Sequence, residues 1–81
     1  MSRYQSLAEV VQDTVCKSSF TAQELAKSIN KPYPTLMREL NPYDLSAKLG
    51  AETLLAMMEQ MKDITPLEYM AARLGYKVVP A

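Results

Sequence analysis

Residues 20–40 have the sequence FTAQELAKSINKPYPTLMREL, and this stretch decides the fold. Thr21 can cap a helix and Glu24, three residues later, can complete a capping box, so a helix is predicted to begin there. Asn30 tolerates the left-handed backbone conformation that turns a chain after a helix. Pro34 fits the first turn of a new helix, where the missing N–H of proline costs nothing. The stretch therefore predicts two short helices joined by a tight turn.

Small and apolar side chains fit the crossing of these two helices. Ala26 permits a close approach of the two backbones. A wedge between the helices can form from Leu25, Ile29 and Leu36. Helix pairs of this kind cross steeply, which predicts a helix-turn-helix over about residues 21–40. The same pattern occurs in helical bundles that never touch DNA, so the spacing alone leaves both interpretations open.

Amphipathic segments flank this pair on both sides. Apolar side chains recur at three- and four-residue spacing, which predicts helices over about residues 3–16, 51–61 and 66–74. The last helix is expected to begin with a second capping box, formed by Thr65 and Glu68, and to end at Gly75. One face of that helix is expected to carry Leu67, Met70, Ala71 and Leu74. The 81 residues are therefore predicted to form a single all-α domain with five helices.

The composition excludes several classes of protein. The chain has no histidine, one cysteine and two glycines, so nucleophile–base pairs, zinc sites and glycine-rich phosphate loops lack their residues. Catalysis, a cofactor, a metal ion and a small-molecule substrate are therefore not expected. No apolar stretch approaches the ~20 residues of a membrane helix and no signal peptide is apparent, so a soluble, cytoplasmic protein is expected. The lone Cys16 is expected to be a small buried hydrophobe.

The formal net charge is zero, with nine basic and nine acidic side chains. A protein that binds nucleic acid non-specifically normally carries a basic excess. The helix pair has a weak one, because residues 17–40 hold more bases than acids. The bases are Lys17, Lys27, Lys31 and Arg38, and the acids are Glu24 and Glu39. A weakly basic face is therefore predicted for this part of the molecule.

In a helix-turn-helix, the N-terminal part of the second helix enters the major groove of DNA. Arg38 is the side chain there that can contact guanine in a bidentate manner, and Thr35 can bond a base or a phosphate. Tyr33 and Met37 offer apolar contacts to thymine methyl groups. Further contacts, to phosphates, are expected from the first helix and the turn. The predicted DNA-binding residues are Thr21, Gln23, Lys27, Lys31, Tyr33, Pro34, Thr35, Met37 and Arg38.

Four short segments resemble a known family: Leu25-Ala26 through Thr35-Leu36, Leu40-Asn41-Pro42, Leu74-Gly75-Tyr76 and Val79-Pro80. In order and spacing they are similar to the phage regulatory protein CII family, the temperate-phage and prophage regulators with a lambda-repressor-like domain. The resemblance implies a compact five-helix lambda-repressor-like DNA-binding domain. It also implies sequence-specific operator or promoter binding that controls lysogenic transcription, and action as an oligomer.

The sequence departs from this family at three places. Asn30 stands where many such turns carry glycine, and Pro34 adds a second proline that shortens the second helix. Many relatives continue beyond the position of Ala81, so an oligomerisation segment outside these residues is one expectation.

Two functions are compatible with the sequence. The first is a transcriptional regulator that binds double-stranded DNA as a homodimer, paired through the fifth helix and the C-terminal tail, with its recognition helices about 34 Å apart. The second is a protein–protein adaptor or antirepressor that uses the surface around residues 33–37 without binding DNA. Zero net charge and two nearby prolines favour this second function. Arg38, Tyr33 and Met37 are then a solvated arginine, a loop tyrosine and a flank of the core.

Overall fold

Residues 6–44 and 46–81 are described by a computed structural model of the chain. Within them the backbone forms five α-helices and no strand, which confirms the prediction of an all-α, five-helix fold. The helices are α1 (Leu7–Lys17), α2 (Ala22–Ser28), α3 (Tyr33–Leu40), α4 (Ala51–Met61) and α5 (Thr65–Leu74). The expected start of the first helix at residue 3 lies outside the described residues.

The core lies where the first four helices meet. α1 packs against α3 and α5, while α2 packs against α3 and α4. The buried apolar residues of this core are Val11, Val15, Leu25, Ala26, Leu36, Leu40, Leu54 and Met57. Partly buried Met70 adds to it from α5. The α2–α3 pair is therefore held from both sides, by α1 and by α4.

α1 turns its valines inward and its cysteine outward. Thr14 is buried beside them, and its hydroxyl donates to the Val10 carbonyl at 2.8 Å, so its burial leaves no hydroxyl unpaired. Cys16 is exposed, and the expectation that it is buried was wrong. The inward stripe passes through Val11 and Val15, and one further residue along a helix rotates the side chain by about 100°.

Three helices end in the same way, with one residue in the left-handed region. These residues are Asn30 (φ 58°), Lys62 (φ 54°) and Gly75 (φ 85°). The N–H that follows each of them returns to a carbonyl five residues earlier: Lys31 to Ala26 at 2.9 Å, Asp63 to Met58 at 3.3 Å and Tyr76 to Ala71 at 2.8 Å. The expected roles of Asn30 and Gly75 are confirmed. Lys62 was not predicted, because lysine seldom adopts this conformation.

The start of α5 differs from the prediction. Its N-cap is Ile64, and Thr65 is already the first helical residue. The backbone N–H and the hydroxyl of Thr65 both donate to Asp63 Oδ1, at 2.9 and 2.6 Å. The predicted capping box of Thr65 and Glu68 is therefore wrong. The threonine donates instead to a carboxylate two residues before it, which accepts both its N–H and its hydroxyl proton.

The apolar face predicted for α5 is largely uncovered. Met70 and Ala71 are half-buried, but Leu67 and Leu74 are 40 % and 74 % exposed. In the tail that follows, Tyr76 and Val79 are 73 % and 75 % exposed. We call Leu67, Leu74, Tyr76 and Val79 the α5 apolar surface.

Candidate functional site

The capping box at the start of α2 is confirmed. The Thr21 hydroxyl oxygen accepts the Glu24 N–H at 3.1 Å, and Glu24 Oε1 accepts the Thr21 N–H at 2.8 Å. Two of the N–H groups that a helix start leaves unpaired are thereby satisfied. The Thr21 N–H is consequently engaged inside the protein, and its hydroxyl proton is the donor that can still reach outward.

The contact between α2 and α3 is made by fully buried side chains. Leu25 and Leu36 are both 0 % exposed, and Ala26, on the α2 side, is 2 % exposed. Burying a leucine side chain contributes about 1.5–3 kcal/mol, so this contact fixes how α3 is rotated about its axis. The opposite side of α3 faces solvent as a result.

The solvent-facing side of the pair carries most of the predicted DNA-binding residues. On α3, Tyr33 and Met37 are each 39 % exposed, and Pro34, Thr35 and Arg38 are exposed too. On and before α2, the predicted residues Thr21, Gln23 and Lys27 are also exposed. The structure thus brings eight of the nine predicted residues to the surface of one packed helix pair. Lys31 is the exception.

Lys31 is tied into the protein. Its Nζ lies 2.9 Å from Glu39 Oε1 and donates to Thr53 Oγ1 at 3.2 Å. The side chains of Lys31 and Glu39 are only 22 % and 13 % exposed. The ion pair joins the α2–α3 turn to the end of α3, and the hydrogen bond to Thr53 joins it to α4. Removing one partner of such a pair leaves the other charge partly buried and uncompensated, so Lys31 has a structural task.

Arg38 is held by the loop that follows α3. Its Nε donates to Asp44 Oδ2 at 3.2 Å, and its Nη2 donates to Ser46 Oγ at 2.8 Å. Asp44 Oδ1 accepts the N–H of Ser46 at 3.0 Å and its hydroxyl at 2.7 Å. We call these three side chains the Arg38 clip. The Ser46 hydroxyl and then its N–H, followed by Arg38, lower the pKa of Asp44 to about 2.

Ion pairing reduces the basic face that the sequence predicts. Lys17 pairs with Asp13 at 2.9 Å, Lys31 with Glu39 and Arg38 with Asp44. Of the four bases in residues 17–40, only Lys27 lacks an acidic partner within the described part of the chain. The α2–α3 surface is therefore close to neutral and offers a small number of charged contacts.

Neither of these two polar clusters was predicted from the sequence. Glu39 and Thr53 lie eight and 22 positions from Lys31, so their meeting depends on the tertiary fold. The Arg38 clip had a local signal in the sequence: Asp44 follows Asn41-Pro42-Tyr43, and an aspartate in such a segment favours local backbone bonds in a turn. Its second oxygen reaches Arg38 because that turn folds back against α3.

A sequence model of the family described as "Phage regulatory protein CII (CP76)" matches residues 5–81. The chain belongs to this family. The match covers all five helices and the tail, and it confirms the resemblance carried by the helix pair and the segments after it. The protein is therefore a phage regulatory protein. No curated protein and no solved structure matches it.

Two further features bear on this member of the phage regulatory protein CII family. Among residues 6–44 and 46–81, no helix is long and apolar enough to cross a membrane. In the same part of the chain, no three His, Cys, Asp or Glu side chains are grouped so as to hold a metal ion.

Proposed function

We propose that this phage regulatory protein is a sequence-specific DNA-binding transcriptional regulator that controls lysogeny genes of a phage or prophage. The observation that supports it most is the packing of α2 on α3. This contact buries Leu25 and Leu36 completely and leaves the front of α3 exposed. An eight-residue helix is about 12 Å long, close to the width of the major groove. The pair thus acts as a helix-turn-helix, with α3 as its recognition helix.

The exposed residues of α3 make two kinds of contact with DNA, polar and apolar. Arg38 supplies a bidentate contact to guanine, and Thr35 supplies a hydroxyl to a base or a phosphate. Tyr33 and Met37 contact thymine methyl groups, and Pro34 fixes the backbone at the start of α3. Phosphate contacts come from Thr21, Gln23 and Lys27. Lys31 contributes indirectly, because its ion pair with Glu39 holds the turn between the two helices.

The neutral surface sets an expectation for the salt dependence of binding. With few unpaired bases, each protomer neutralises few phosphates, so the slope of log affinity against log salt is small. Non-specific affinity is correspondingly low, and discrimination depends on base contacts made by α3.

Pairing of two copies through the α5 apolar surface completes the proposal. Four large apolar side chains there are 40–75 % exposed, and burying them in a homodimer would add to the small core of an 81-residue domain. The protomer measures 34 × 29 × 21 Å. Two such protomers side by side can place their α3 helices about 34 Å apart, which is one turn of duplex DNA.

The test is a selection of bound duplexes from a random DNA pool at moderate salt. The unsubstituted protein is expected to enrich a two-part repeated site. Arg38→Ala is expected to lower affinity for that site by about 1–3 kcal/mol and to relax specificity at one position. Lys62→Asn is the matched control, since it removes one positive charge at the end of α4 and asparagine tolerates the left-handed conformation there.

Two outcomes count against DNA binding by α3. A folded protein that enriches no sequence would contradict the proposed function. Unchanged binding by Arg38→Ala would remove Arg38 from the reading surface.

The second candidate function is a protein–protein adaptor or antirepressor that uses the outer face of α3. It is favoured by the ion pairing of Lys17, Lys31 and Arg38, which leaves little charge for phosphates. A partner protein whose binding by this surface does not change between low and high salt would support the adaptor, since DNA binding always releases counterions.

A further inference from the structure

Arg38 is bound along one edge of its guanidinium group. The Nε–H and one Nη2–H, which point the same way, are taken by Asp44 and Ser46. A guanidinium group carries five N–H donors in a fixed plane, so its other edge, formed by Nη1 and the second Nη2–H, is a separate two-donor fork. No described residue accepts from Nη1. The Arg38 side chain is 62 % exposed, so solvent reaches it.

The groups that hold Arg38 are themselves fixed. Asp44 Oδ1 is bound twice by Ser46, which orients the carboxylate and leaves Oδ2 for Arg38. The Ser46 hydroxyl donates to Asp44 and so can accept from Arg38 Nη2. Each of the four hydrogen bonds in the clip joins one donor to one acceptor, and together they tie α3 to the loop after it.

We propose that Asp44 and Ser46 are positioning residues, which hold the Nε–Nη2 edge of Arg38 so that its Nη1–Nη2 edge is pre-oriented for O6 and N7 of a guanine. This inference rests on the proposed function, since it names how the base-reading arginine is kept in place. A flexible arginine loses rotamer freedom when it binds a base, and a held one loses less. Specificity for the guanine therefore depends on residues that do not touch it.

A second aspartate turn in the molecule, at Asp63, allows the effect of binding Arg38 to be distinguished from the effect of the turn itself. Asp63 Oδ1 accepts the N–H and hydroxyl of Thr65 at 2.9 and 2.6 Å, as Asp44 Oδ1 does with Ser46. No arginine is bound to Asp63 in the described part of the chain. Asp63→Ala is therefore a matched control for Asp44→Ala: it removes the same type of turn without releasing a base-reading side chain.

The experiment measures dissociation constants for the selected duplex and for one in which the guanine pair has been replaced. Asp44→Ala is expected to weaken binding to the selected duplex by about tenfold, and to leave the replaced duplex nearly unaffected. Asp63→Ala is expected to keep the discrimination between the two duplexes. In an Arg38→Ala background, Asp44→Ala should cost nothing further, because the two residues act as one unit.

The sign of the effect can overturn the proposal. If Asp44→Ala tightens binding to both duplexes, the carboxylate competes with DNA for Arg38 or repels phosphate, and it does not position the arginine. If Asp44→Ala and Arg38→Ala weaken binding additively, Asp44 acts independently of Arg38, and the proposal is equally wrong.

A measurement without DNA keeps this inference distinct from the proposed function. Proton exchange at Arg38 Nε, followed by nitrogen-15 NMR, is expected to be slow in the unsubstituted protein and in Asp63→Ala, and fast in Asp44→Ala. Equally fast exchange in all three proteins would show that the clip does not persist, whatever DNA does. Slow exchange in a protein that selects no duplex would instead overturn DNA reading and, with it, the positioning role.

Discussion

α2 and α5 begin with the same sequence signature but are built differently. Each starts with Thr-x-x-Glu, at Thr21 and Glu24 and at Thr65 and Glu68. The box closes at Thr21, whereas Thr65 binds Asp63 and lies inside the helix. A capping signature therefore predicts its hydrogen bonds only where no competing carboxylate lies within reach.

The two helices also differ in what covers their apolar faces. The apolar face of α2 lies against α3 and α4, and Leu25 there is 0 % exposed. α5 packs on α1 and leaves Leu67 and Leu74 at the surface. Two helices that each carry an apolar face in sequence thus differ in burial, because burial depends on how many neighbouring helices the fold supplies.

The largest expected difference between the two helices is in truncated leucines. Leu25→Ala should lower the free energy of unfolding by about 2–5 kcal/mol, because it leaves a cavity in the core. Leu74→Ala should change the stability of the monomer by less than about 0.5 kcal/mol. Denaturant unfolding at low protein concentration measures both.

The same pair of variants tests the proposed dimer. Leu74→Ala should weaken self-association in sedimentation measurements at higher protein concentration. Leu25→Ala should affect self-association only indirectly, by destabilising the fold. An equal loss of monomer stability in both variants would contradict the exposed position of Leu74.

The next difference concerns the helix starts. Thr21→Ala should cost about 1 kcal/mol of stability, since it removes the side-chain half of a closed capping box. Thr65→Ala should cost less, because the Thr65 N–H bond to Asp63 survives the substitution. Asp63→Ala should cost more than Thr65→Ala, as it removes the acceptor of both bonds. Equilibrium unfolding of the three variants gives this order. A Thr65→Ala cost equal to that of Thr21→Ala, with Asp63→Ala neutral, would restore the capping box that the sequence predicts.

These cases show which features of the structure can be predicted from the sequence. Asn30, Gly75 and the box at Thr21 were predicted because each depends on residues within one turn of chain. The inward position of Leu36 followed from its predicted place in the wedge between the two helices. The competition at Thr65 was also local, and the Asp-x-Thr sequence before it was the missed signal.

The candidate site was less predictable than the helices. Exposure of the outer face of α3 follows from its buried side, which accounts for the exposure of the five predicted residues on that helix. The pairing of Lys31 with Glu39 was not predictable, because it depends on the angle at which helices meet. DNA contact by these residues stays a prediction that the selection experiment tests.

The smallest expected difference is in the acid titration of the two aspartates. The pKa of Asp44 lies at about 2 and that of Asp63 is also lowered, in each case chiefly by hydrogen bonds from the hydroxyl and N–H two residues later. A folded pKa below the unfolded value means that the stabilisation is present above the unfolded pKa and is lost as the pH falls through the folded one. For Asp44 this window runs from its ordinary value of 3.8 down to about 2.

Carbon-13 NMR titration of the carboxyl groups can rank the causes. Ser46→Ala should raise the pKa of Asp44 more than Arg38→Ala does, because the hydroxyl of Ser46 lowers it most. Thr65→Ala should raise the pKa of Asp63 for the same reason. If Arg38→Ala raises the pKa of Asp44 further than Ser46→Ala does, the arginine positions the carboxylate. This is the reverse of the proposal, in which the carboxylate positions the arginine. If neither substitution moves it, the turn around Asp44 does not persist in solution, and the likeness between the two aspartate turns is lost.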